Sequence, residues 1–182
     1  MAEFQHINVK IFASEGSSVD WHKLIPVFHR WIREQSLPGL LLDVADYAHV
    51  PAGPGMMIVG HDAHYAVDNR QNRLGLLYNR RTAAEGSTRD RIGQAYEAAL
   101  AAARKLEQES ELAGTLRFDE SQVEIWVNDR LLAPNTPETF AEFEAEVAPF
   151  LRERLGGGVQ IERSSAGARD VVRVRTSAAS HS

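Results

Sequence analysis

Apolar positions along the chain fall into two rhythms, one of period two and one of helical spacing. Residues 4–12 alternate, with Ile7, Val9 and Ile11 on one side, and predict a first strand. A turn cluster of Ser14, Gly16, Ser17 and Ser18 follows, and Asp20 stands where a helix cap belongs. The helix beyond it places Trp21, Leu24, Ile25, Phe28 and Ile32 on one stripe, which Trp31 widens, before Pro38-Gly39 ends the segment. The run Leu40-Leu41-Leu42 opens a second strand over 40–47 that reads as central and covered on both faces. Pro51, Gly53, Pro54 and Gly55 mark a loop. Residues 56–68 then read as one long strand, or as two broken at Gly60. A polar turn at 70–73 and a strand at 74–79 complete a hairpin.

The second part of the chain repeats this grammar. Ser87, with Asp90 three residues on, forms a capping box for a helix over 87–108 that carries Ile92, Tyr96, Ala99, Ala103 and Leu106 on its apolar face. Residues 116–118 and 123–127 read as a hairpin joined through Asp119-Glu120-Ser121. Thr136-Pro137-Glu138 is a strong helix start, with a cap, a preset first-turn φ and an acid at the positive end of the dipole. Phe140, Phe143, Val147, Phe150 or Leu151, and Leu155 supply the buried stripe and Gly156-Gly157-Gly158 the stop. Residues 159–163 and 171–175 predict a closing hairpin. Pro26 and Pro149 lie inside the first and last helices, where a kink or a local start is expected.

These elements predict a single α+β domain over residues 1–176, with a mixed, largely antiparallel sheet and three main helices. Two similar β-α-β-β halves, 4–79 and 116–176, would be joined by the helix at 87–108, and residues 177–182 form a polar tail.

Composition narrows the chemistry. The 182 residues carry a formal net charge of −5, which gives no general attraction to nucleic acid or an anionic membrane surface. Cysteine is absent, which excludes disulfides, thiolate nucleophiles and thiolate-held metal centres. No apolar run approaches the roughly 20 residues that a membrane-spanning helix needs, and the N-terminus alternates where a signal peptide would be continuously apolar, so the expected location is cytoplasmic.

The densest group of reactive side chains lies between Asp43 and Asp68 and includes His49, His61, Asp62 and His64. Imidazole and carboxylate suit zinc, iron or manganese, and His49, Asp62 and His64 are the candidate ligand set, with Gly60 the place for a bulge. Arg70, Arg73, Arg80, Arg81, Arg89 and Arg91 crowd a short interval, and Arg80 and Arg81 are candidates for holding an anionic ligand. The glycine–proline loop lacks the lysine and hydroxyl of a phosphate loop and leads into a strand. There is no Gly-x-Ser-x-Gly elbow, and His22 and His29 are two helical turns apart. No cofactor is indicated.

No nucleophile, base or closed ligand set is assembled by spacing. The reading that follows is a non-catalytic module that binds a protein partner or a second copy of itself. The alternative is a metal- or small-ligand-dependent enzyme built on His49, Asp62 and His64. Nucleic-acid binding through the arginine hairpin ranks last in so acidic a chain.

Overall fold

The alternation at the N-terminus becomes β1 (Ile7–Ala13), and this strand lies inside the sheet between β5 (Gly75–Arg80) and β6 (Phe118–Val127). The computed structural model describes residues 4–129, 131, 133–163 and 172–177. Beyond β5 come β4 (Ala63–Asp68), β3 (Gly55–Gly60) and the edge strand β2 (Leu41–Tyr47). Beyond β6 come β8 (Arg173–Ser177) and the other edge, β7 (Gln160–Arg163). The sheet therefore runs β2-β3-β4-β5-β1-β6-β8-β7, and every pairing is antiparallel. In both β1–β5 and β6–β8 the first strand pairs with the last, and the two first strands pair with each other.

Three helices, α1 (Trp21–Glu34), α2 (Thr88–Glu107) and α3 (Pro137–Leu155), pack on one face of this sheet. Their starts follow the local chemistry. The Asp20 carboxylate accepts from the His22 amide at 3.0 Å, and Thr136 Oγ1 accepts from the Thr139 amide at 3.2 Å. Ser87 and Asp90 close a reciprocal box. Leu24, Val27, Phe28 and Trp31 of α1 meet Ile7, Val9 and Ile11 of β1 in one core. The buried alanines of α2, from Ala95 to Ala103, let it lie close against β1 and β5. Both α1 and α3 continue through their prolines, whose side chains are exposed. No described helix is long and apolar enough to cross a membrane.

The α+β architecture and the antiparallel sheet match the expectation from sequence, but two elements differ. Residues 40–47 were expected at the sheet centre, and β2 is instead an edge strand. Only Leu41 of the three leucines reaches the core. The register slips between Leu41 and Asp43, so Leu40 and Leu42 stay 53% and 52% exposed. A bulge thus disposes of residues that a continuous strand would have had to bury. The second difference is at 116–127, where one long strand, β6, replaces the expected hairpin. The polar residues 119–122 bow out between the Ala13–Phe118 and Ile11–Val123 pairs, held by Asp119 accepting from the Ser121 and Gln122 side chains. The tail beyond Ser177 lies outside the described residues.

Gly60 turns β3 into β4, and a Cβ there would lie 2.2 Å from the Ala63 carbonyl oxygen. Gly60→Ala is therefore expected to destabilise the fold by about 1–3 kcal/mol. Gly157→Ala, with nothing within 4 Å, should stay within about 0.5 kcal/mol of the parent. Urea denaturation of the two variants side by side checks the hairpin assignment.

Candidate functional site: a polar cavity on the open sheet face

Strand alternation that points Ile7, Val9 and Ile11 at the helices points Asn8, Lys10 and Phe12 at the other face, which no described helix covers. Cross-strand register sets their neighbours. Asn8 lies between Asn79 and Trp126, and Lys10 between Leu77 and Glu124. Phe12 faces Gly75, which in turn faces Asp68. Lys10 crosses β5 diagonally, over Gly75, and its Nζ donates to Asp68 Oδ2 at 2.7 Å. The glycine makes that route. A Cβ at position 75 would sit 2.8 Å from Lys10 Cε.

The charged groups here are buried although no helix lies over them. The Lys10 and Asp68 side chains are 7% and 3% exposed. They are screened by their neighbours, two of whose guanidinium groups lie over aromatic rings. The Arg73 guanidinium lies 4.1 Å from the Phe12 ring centre and the Arg173 guanidinium 4.3 Å from Trp126. Arg173 also donates to the buried Glu124 carboxylate, which Arg73 approaches at 3.8 Å. Ala66, Leu77 and Trp126 form a small apolar patch beside this cluster.

The result is a cavity of about 230 Å³ lined by four cationic side chains, Lys10, Arg70, Arg73 and Arg173, and two carboxylates, Asp68 and Glu124. It holds an excess of two positive charges in a chain whose net charge is −5. Burial pushes the Lys10 ammonium below its ordinary range, and the attraction of Asp68 only partly opposes this. Between its folded and unfolded values the unfolded chain binds more protons, so this group's contribution to stability rises with pH across that window.

The residues singled out in the sequence lie elsewhere. His49 sits just past β2, while Asp62 and His64 sit at the opposite end of β3, in and just after the turn to β4. The six residues of β3 separate them by about 20 Å at strand rise. Among the described residues no three His, Asp or Glu side chains are grouped to hold a metal ion. Asp62 is engaged by Thr82 Oγ1 at 3.0 Å and His61 Nδ1 at 3.1 Å. Those hydrogen bonds, Thr82's first, hold its carboxyl below the usual range. His64 Nδ1 accepts from the Gly60 amide at 3.2 Å and its Nε2 lies 3.3 Å from Arg81. Partial burial, and then the Arg81 charge, keep that imidazole below its usual range. Arg80 donates to the carbonyls of Thr82 and Ala83 and so ties down its own loop. The expected triad is three separate local arrangements.

A larger cavity, about 690 Å³, opens at the start of α1 and includes Trp21, His22, Ile25, Asp46 and His49. Its charged groups, Asp20, Lys23 and Asp46, are exposed, and both carboxylates are locally engaged. Asp20 caps α1, and Asp46 accepts from the Ala48 amide at 2.9 Å. Nothing there is both buried and charged. Size favours this groove, whereas the concentration of desolvated charge favours the sheet face.

Comparison of the chain with family models, with curated proteins and with solved structures yields no match.

The Lys10–Asp68 pair gives a direct test. Removing one partner strands a buried charge, so Lys10→Met is expected to cost about 3–5 kcal/mol in chemical denaturation. The Lys10→Met/Asp68→Leu double variant should recover most of that loss. A single variant within 1 kcal/mol of the parent would mean that the two groups are not desolvated as described.

Proposed function

We propose that the chain is a binding module for a small anionic molecule, held on the open face of the sheet. One observation carries this reading. Arg70 and Arg73 stand at the cavity with no side-chain hydrogen bond among the described residues; their ion pairs, 3.7 Å to Asp68 and 3.8 Å to Glu124, are loose, and Arg73 otherwise rests on the Phe12 ring. Two guanidinium forks with unused donors, beside an excess of positive charge, suit carboxylate or phosphate. Stability does not explain the cluster, because well-packed apolar residues generally replace a buried ion pair at no loss. Of the enzyme alternative, the small-ligand part is retained and its metal part is set aside. The arginines that support binding are Arg70 and Arg73, in place of Arg80 and Arg81.

Titration calorimetry with succinate and with inorganic phosphate tests this. Binding of at least one is expected, weakened about tenfold or more in Arg73→Gln, since a hydrogen bond to a charged group contributes about 1.5–3 kcal/mol. Arg81→Gln should bind like the parent. Equal losses in both variants would sink the proposal, as would failure of both probes and of the hydroxylated analogue malate to bind.

A second reading, self-association, is supported by the unpaired outer edge of β2, where Leu40, Leu42 and Tyr47 are exposed. The bulge at Leu42 and the exposed Asp43 and Asp46 weaken it, because both devices blunt a strand edge. Native mass measured across a concentration range decides this point. A dimer that Leu42→Asp abolishes would support edge pairing, and a constant monomer mass would remove it.

A further inference from the structure

The anion reading leaves one buried atom unaccounted for. Asp68 spends Oδ2 on Lys10, while its Oδ1 is buried and accepts no hydrogen bond among the described residues. A carboxylate oxygen in that position carries the full cost of desolvation without return. The nearest cation is the Arg70 Nε at 3.7 Å, beyond hydrogen-bonding reach. The Arg70 side chain is 56% exposed and makes no other ion pair among the described residues. More than half exposed, it can turn toward a ligand bound in the cavity.

We infer that the ligand is a small hydroxylated dicarboxylate, whose hydroxyl donates to Asp68 Oδ1 while its carboxylates meet Arg70 and Arg73. This rests on the anion reading and specifies its ligand. Three features select the chemistry. The acceptor at Oδ1 requires a donor on the ligand. An ammonium is the wrong donor, because Lys10 already occupies the other oxygen and Arg70 stands alongside, so a neutral hydroxyl fits the local charge. The cavity's excess of two positive charges matches two carboxylates. The cavity volume of about 230 Å³ suits on the order of eight non-hydrogen atoms at roughly 30 Å³ for each water-sized group.

The experiment compares malate, each enantiomer separately, with succinate by calorimetry on the unmodified chain. The two differ only by the hydroxyl. One malate enantiomer is expected to bind about tenfold or more tightly than succinate, as a site built to pair a hydroxyl discriminates against its absence. In the Lys10→Met/Asp68→Leu double variant, which lacks the acceptor and keeps both arginines, that preference should disappear. Equal affinities for malate and succinate in the parent chain overturn the inference and leave the anion site standing. A preference that survives in the double variant also overturns it, since the hydroxyl is then read elsewhere. Failure of succinate, malate and phosphate alike to bind removes the anion reading itself.

Discussion

The ion pair between Lys10 and Asp68 sets the terms for the whole open face of the sheet. It joins β1 to β4 across an intervening strand, and it forms only because position 75 carries no side chain. Taking both charges out of water costs several kcal/mol each, and their mutual attraction offsets this only with good geometry. Everything around the pair serves that geometry. Glu124 adds a second negative charge beside Lys10 across the β1–β6 register. Arg173 and Arg73 screen Glu124 in turn while lying over Trp126 and Phe12.

The two faces of β1 divide the molecule's labour. Ile7, Val9 and Ile11 anchor the apolar core under α1, α2 and α3, where burial of aliphatic and aromatic side chains supplies most of the stability. Asn8, Lys10 and Phe12 organise the polar face. A strand inside the sheet is held on both sides by ladder hydrogen bonds, so the side chains it presents are positioned rigidly, as a recognition site requires. The cluster is therefore preorganised by the same strand that fixes the core.

Much of the fold was legible in the sequence because its signals are local. Asp20, Ser87 and Thr136 cap the helices they were expected to cap, and the stripe from Ile92 to Leu106 is buried as its spacing implied. The misplacement of residues 40–47 came from reading Leu40-Leu41-Leu42 as a buried run. Register slippage, which no local pattern reveals, turned two of those leucines outward. The site was legible only in fragments. Asp68, Arg70 and Arg73 stood within stretches recognised as polar or basic, but proximity in sequence favoured His49, Asp62 and His64, which the length of β3 separates. The alternation in β1 marks its apolar face and gives no sign by itself that Lys10, on the other face, is buried. A lysine and an asparagine on the second face of a strand that the sheet buries were the available signal. Glu124 and Arg173 join the cluster through the β1–β6 and β6–β8 pairings, the two lying 49 residues apart in the chain, which only the topology supplies.

Two cavities compete as the seat of function, and they differ in kind. The groove at the start of α1 is larger and its charged groups are exposed. The sheet-face cavity is smaller and lined by buried charge. Side-chain NMR distinguishes them, since Trp21 reports on the first and Trp126 on the second. During titration with malate, the indole N–H of Trp126 and the side-chain amides of Asn8 and Asn79 are expected to shift in a saturable manner while the Trp21 indole stays in place. Shifts centred on Trp21 and His49, with Trp126 unmoved, would contradict the central claim that the open face of the sheet is where this protein binds.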